Sequence, residues 1–247
     1  MCIERRIILR LSGFFILAIA WKIVGSIRSS PALPPLNGIL WMVFCLIRDK
    51  TFWNHIIASI ELILFGVGMA TVIGFIIGLL IFRYDQLKEA VLPVIESVRG
   101  IAALTLFPLL IILFGIDTFS RVFIIFWTAW PAIVLSTINS LNVDTNIVDA
   151  AKVSGAGEWR TIISIRIPLA SQGIITGIRI GTGGGWVSLI AAEMLGASKG
   201  IGFYLLWSAQ SFQFEKVYAT IIVIATIGGL MNYCLLLLQI RAYQMIE

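Results

Sequence analysis

The chain has 247 residues, of which 59% are apolar and 13% charged, and its net charge is +5. Charge at about half the level of a soluble domain cannot give a core of this size a polar surface, so apolar runs long enough to cross a bilayer come first. The positive balance does not point to nucleic acid, because the 18 basic residues lie mainly between apolar runs, where membrane topology accounts for them.

An apolar helix needs about 20 residues to span the hydrocarbon layer. Residues 7–24, with Arg5, Arg6 and Arg10 at their start, are the first candidate. A cleaved signal peptide is the alternative. The small-x-small triplet Ala18-Ile19-Ala20 runs at once into Trp21 and Lys22, with no clear cleavage region, which favours a retained helix. Residues 29–35 are polar and proline-rich and read as a loop. Residues 37–47 are apolar but too short to span, and read as a helix lying on the membrane surface.

Residues 62–82 carry no charge and form the second span, with Trp53 before it. A charged turn is expected over 83–89. The third span covers 100–116, is interrupted by Pro108, and begins a turn or so earlier, near Val94. The fourth covers 122–143 and contains Pro131. A polar stretch follows over 144–166. The fifth span, 167–194, is broken by Arg179 and closed by Glu193; the sixth, 217–240, has no charge.

Six spans put both termini on one side. With that side as the cytoplasm, 11 Lys/Arg lie inside and seven outside (Lys22, Arg28, Arg48, Lys50, Arg121, Lys199 and Lys216), which has the expected sign. The expectation is an all-α, multi-pass protein of a prokaryotic plasma membrane. Its single transmembrane domain covers 1–247, with an N-terminal helix and loop over 1–35 and a core over 36–247 containing the polar region 144–168.

Several chemistries have no residues to carry them. Cys2, Cys45 and Cys234 lack metal or disulfide spacing, and His55 has no co-ligands, so it reads as an ordinary residue near a membrane surface. No G-x-x-x-x-G-K-[ST] loop is present, and the glycines at 181–185 lie within an apolar span. No catalytic residue, metal site or cofactor is therefore expected in this chain.

The polar region opens with Asp149-Ala150-Ala151-Lys152-Val153-Ser154-Gly155 and ends with Ile165-Arg166-Ile167-Pro168. Asp144 or Thr145 suits a helix cap. A short helix over 146–153 would carry Ile147, Ala150 and Ala151 on one side, with Gly155 ending it. A second helix over 157–165 would present Trp159, Ile162 and Ile163. The sequence closely resembles the E-A-A-x3-G-x9-I-x-L-P signature of ABC importer permeases, departing at Asp149, where Glu is usual, and at Ile167, where Leu is usual. The resemblance implies a type I importer-like fold with a cytoplasmic coupling helix that sits in a cleft of an ATPase subunit. It assigns that contact to Asp149, Ala150, Ala151, Gly155 and Pro168.

Further segments are similar to one subgroup, the nitrate/sulfonate/taurine/bicarbonate-type importer permeases. They are Arg99 followed by Phe107-Pro108-Leu109 and Phe114-Gly115-Ile116, then Thr176-Gly177-Ile178-Arg179, Ala192-Glu193-Met194-Leu195 and Gly200-Ile201-Gly202-Phe203. The similarity covers roughly residues 35–240. Gly100-Ile101-Ala102-Ala103 departs from it, since the subgroup usually has a proline just after this arginine. By resemblance the partners are ATPase subunits, which use ATP and Mg, an extracytoplasmic substrate-binding protein, and a second copy of the chain. The competing reading, a secondary transporter driven by an ion gradient, usually shows internal repeats and buried acidic relays, and neither is visible.

Gly173, Gly177, Gly181 and Gly185 recur every four residues and so share one helix ridge, as do Ala70, Gly74 and Gly78. Close packing on a neighbouring helix is the expectation for both rows, and room for substrate beside the first row is the alternative. A charge at mid-bilayer costs on the order of 3 kcal/mol, so Arg179 and Glu193 should face protein or water. Arg179 could snorkel inward and Glu193 could meet outer-leaflet water. Arg99 and Glu96 lie just inside the third span, within reach of each other or of the cytoplasm. Arg99, Arg179 and Glu193 are the candidate pathway residues, with Arg99 or Arg179 assisting an anion.

Overall fold

The computed structural model describes residue 21, residues 32–143, residue 153 and residues 157–244. Eight helices are built from them: α1 Leu36–Arg48, α2 Lys50–Arg83, α3 Asp85–Arg99, α4 Ala103–Phe114, α5 Thr118–Leu141, α6 Glu158–Gly196, α7 Ile201–Gln210 and α8 Phe214–Gln244. Helices α2, α5, α6 and α8 are each long and apolar enough to cross a membrane. The pair α3 and α4 passes the same test together, with a 90° bend between its halves. The described residues thus hold five of the six expected spans, and the first, 7–24, lies almost wholly outside them.

Helix α5 is the axis of the bundle, and small residues on its neighbours put it there. Along α2, Gly66 faces Ile125, Ala70 packs with Ala129 and Ile133, and Gly74 and Gly78 face Ile133 and Thr137. A β-carbon at Gly78 would lie 2.8 Å from that of Thr137. Along α6, Gly173 meets Ser140, Gly177 meets Ser136, and Gly181 meets the Ala129 backbone. Two glycine ridges therefore close on adjoining faces of one helix. That contact maximises dispersion where lipid supplies no hydrophobic drive.

Three boundaries depart from the sequence reading. Helix α2 begins at Lys50 rather than near Leu62, because Asp49 caps it by accepting the Thr51 N–H at 2.9 Å. The charged turn expected over 83–89 shrinks to Tyr84, and Asp85 already begins α3. The third span is not one helix. Backbone bonds from Gly100 to Ser97 and from Ile101 to Val98 tighten the end of α3, and Ala102 then adopts an extended conformation. Tertiary packing explains the bend. Ile95 of α3 packs with Ile81, Val134 and Ile138, whereas Phe107 and Leu110 of α4 join a separate cluster with Ile124 and Ala192.

The expected second helix over 157–165 is not separate either. It runs on into the fifth span through a π turn, Ile162–Arg166, in which the Ile167 N–H reaches the Ile162 carbonyl. Pro168 has no N–H and its ring would crowd the carbonyl four residues back, so a widened turn just before it lets the helix continue. Trp159 and Ile163 are exposed there, while Ile162 is buried.

Candidate functional site

Of the residues expected to contact an ATPase subunit, Asp149, Ala150, Ala151 and Gly155 lie outside the described residues. Pro168 is exposed on α6, two residues beyond Arg166. The flanks of the region are well defined. Arg166 donates to the carbonyl of Leu141, the last residue of α5, at 2.8 Å. Its guanidinium lies 5.0 Å from the centre of the Phe82 ring. Arg83 makes a 2.6 Å ion pair with Glu158 at the start of α6.

The charged residues of the long helices fall in different settings. Arg179 is half-buried on α6, and its Nη1 donates to Gln239 Oε1 of α8 at 2.8 Å. Gln239 in turn donates to Thr176 at 2.8 Å. Gln239 lies near the end of α8, so the arginine side chain leans back along α6 toward the Pro168 end, the direction helical side chains favour. A cavity of about 140 Å³ beside it is lined by Thr182, Gly183, Trp186, Gly228 and Asn232. Among the described residues no carboxylate forms an ion pair with Arg179.

Glu193 is 1% exposed and does not meet water. One carboxylate oxygen accepts from the Ser59 hydroxyl at 2.7 Å and the other from the Gly202 N–H at 2.8 Å. Ser59 accepts the Ile201 N–H at 2.9 Å, and His55 Nδ1 accepts the Gly200 N–H at 3.2 Å. Three consecutive donors at the start of α7 are thereby held by α2 and α6. That replaces the expected contact with outer-leaflet water by a buried network, because the N–H groups at a helix start need acceptors and favour negative charge.

Arg99 is exposed at the end of α3, and no ion pair joins it to Glu96 among the described residues. The glycine row Gly173, Gly177, Gly181 and Gly185 faces α5, as described above. Sequence reasoning missed Glu61, because the second span was taken to start one residue later. It is exposed about 16 Å along α2, at 1.5 Å per residue from Lys50. The cap at Asp49-Lys50-Thr51 was the signal that could have found it. Ser59, His55 and Gln239 carried no signal, since single polar residues in apolar helices gain meaning only from distant partners.

The family model described as binding-protein-dependent transport system inner membrane component matches residues 70–241. The taurine transport system permease protein TauC of Escherichia coli is 28% identical over 97% of this chain and 90% of its own length. The putative aliphatic sulfonates transport permease protein SsuC of Bacillus subtilis is 29% identical over 89% and 80%. The nitrate import permease protein NrtB of Synechocystis is 27% identical over 88% and 82%. Among solved structures, an inward-facing MetNI methionine ABC transporter aligns with a TM-score of 0.64 at 14% identity, covering 78% of this chain and 99% of that one. A bacterial alginate ABC transporter in complex with its pentasaccharide-bound periplasmic protein aligns at 0.58 and 13% identity, covering 96% and 92%. At these identities the structural likeness speaks for the fold.

Proposed function

This chain belongs to the family of binding-protein-dependent transport system inner membrane components, and from that premise we propose that it forms the pathway for a small anion of the sulfonate, taurine, nitrate or bicarbonate class. It is a permease subunit of an ABC importer, a multi-pass membrane protein, and the secondary-transporter alternative falls away. Such a permease works with ATPase subunits and a substrate-binding protein. The finer reading is a homodimer in a prokaryotic plasma membrane with both termini in the cytoplasm. ATP and Mg are used by the ATPase partner, with no cofactor held by this chain. Asp149, Ala150, Ala151, Gly155 and Pro168 then form the contact with that partner.

One observation carries the anion reading. Arg179 stands within an apolar span, beside a cavity that also presents Thr182 and Asn232, and no carboxylate pairs with it among the described residues. A cation kept at that cost favours a mobile anion nearby. Its bond to the neutral Gln239 fixes its direction without cancelling its charge. Arg99, exposed where α3 ends, is the second cation suited to the route. Glu193 takes a supporting place, since its carboxylate is spent on Ser59 and α7.

The test is a ligand screen on the cognate binding protein with taurine, alkanesulfonates, nitrate and bicarbonate, followed by uptake of the ligand found into proteoliposomes holding the whole complex. Arg179→Gln should lower uptake about tenfold or more, equivalent to at least 1.4 kcal/mol, while the ATPase still co-purifies. Uptake by Arg179→Gln at the unmodified rate removes Arg179 from the pathway, and the same result for Arg99→Gln removes Arg99.

A further inference from the structure

Helices α5 and α6 flank residues 144–156, and the start of α6 and, through Arg166, the last residue of α5 are both tied to the end of one other helix. Leu141, which closes α5, gives its carbonyl to Arg166 at 2.8 Å, and the same guanidinium lies over Phe82 at 5.0 Å. Glu158, which opens α6, pairs with Arg83 at 2.6 Å. Phe82 and Arg83 are consecutive and close α2. The π turn, Ile162–Arg166, follows the first anchor on α6 and ends on the second.

We propose that Arg166 and the Arg83–Glu158 pair are positioning residues that transmit movement of the coupling region into α2 and α5. The proposal rests on the reading that an ATPase subunit docks on residues 144–168. A single contact would let the region swivel about it. Two contacts on adjacent residues of α2 fix direction as well as distance. The groups suit a switch better than a brace. An exposed ion pair adds little to stability, and it exchanges partners readily. Arg83 Nε is buried and makes no hydrogen bond among the described residues, so this guanidinium has a donor to spare for another acceptor. Arg166 places a fixed positive charge on the carbonyl end of α5, where the helix dipole favours it, so α5 follows Arg166. The π turn supplies compliance, because its wide ring is a weaker segment of helix than those on either side. From α5 the displacement passes to α2 and the rest of α6 through the two glycine ridges, which permit little slack.

The experiment uses the full complex of permease, ATPase and binding protein in nanodiscs, with an environment-sensitive fluorophore on Gly68→Cys. That α2 position is exposed and an added β-carbon meets nothing within 4 Å. Trapping with Mg-ATP and vanadate should shift the emission. Arg166→Ala should reduce the shift roughly 5- to 10-fold at unchanged trapped nucleotide, the scale of a modest coupling energy. Arg166→Lys should retain part of it by keeping the cation. Arg83→Glu should lose it, and Arg83→Glu with Glu158→Arg should recover it, which a simple folding defect would not do. A full shift in Arg166→Ala, no recovery in the charge-swapped pair, or no shift at Gly68 in the unmodified protein overturns the latch. Failure of the ATPase to co-purify with the unmodified permease overturns the docking reading, and the latch with it.

Discussion

Glu193 accepts the backbone N–H of Gly202 at 2.8 Å, and this bond across nine residues turns the chain from the end of α6 into α7. The turn leaves no room for another arrangement. Gly200 has φ of +125° and sits against the Glu193 carboxylate, while a β-carbon on Gly202 would collide with the Ile190 carbonyl. The negative end of the network and the start of α7 are therefore built around each other.

Removing that carboxylate should be costly. Glu193→Ala strands the Gly202 N–H in a buried site, at a cost of about 1–3 kcal/mol, and leaves the Ser59 hydroxyl only the longer 3.3 Å bond to the His55 carbonyl. Glu193→Gln keeps one acceptor oxygen and should lose less than Ala. Thermal unfolding of purified protein in detergent should rank native above Gln above Ala. A Glu193→Ala protein as stable as the native one refutes this account of the turn.

The glycine ridges make a graded prediction. At Gly181 a β-carbon would lie 3.0 Å from the Ala129 carbonyl and at Gly177 it would lie 2.5 Å from Ser136, so Gly→Val at either site should cost about 1–3 kcal/mol by overpacking. At Gly183, two residues along the same helix, an added β-carbon meets nothing within 4 Å. Gly183→Ala should then be neutral or raise stability by up to about 1 kcal/mol through helix propensity. Equal losses at Gly181 and Gly183 would mean that α5 does not lie against this ridge.

Local pattern revealed what repeats or runs, and missed what pairs at long range. The spaced residues from Asp149 to Pro168 pointed to the permease family, and the long apolar runs located α2, α5, α6 and α8. Nothing local marks Ala102 as the corner of a 90° bend, because Ile95 and Phe107 select different surfaces of α5 only after α5 is in place. The polar network had the same difficulty. Ser59 and Glu193 are 134 residues apart, and neither belongs to a motif that names the other. Gln239 was invisible in a charge-free run until Arg179 was placed beside it.

Acid should weaken the start of α2. The Thr51 hydroxyl and N–H hold the Asp49 carboxyl below its ordinary value of 3.8. A carboxylate whose pKa is lowered by folding contributes stability that is present above 3.8 and lost as the pH falls through the lowered value. Unfolding between pH 6 and about 3, followed by circular dichroism, should show a smaller acid-dependent loss in Asp49→Asn than in the native protein. Asp49→Ala should cost about 1 kcal/mol at neutral pH as a missing cap. An unchanged acid profile in Asp49→Asn would rule out Asp49 as a contributor.

Pro168 sets the phase of everything that precedes it in α6. Its ring demands the wide turn at Ile162–Arg166, and one residue of π turn rotates the upstream helix by about 100° relative to a continuous α-helix. Pro168→Ala restores an N–H to the backbone and removes the clash, so the turn should relax to α-helical geometry. That rotation carries Glu158 away from Arg83. Cysteines placed at both positions and bridged by a bifunctional thiol reagent about as long as the two side chains they replace should cross-link several-fold more slowly with Pro168→Ala. Unchanged cross-linking would mean that the π turn is held by contacts of Ile162 and Arg166 rather than by the proline.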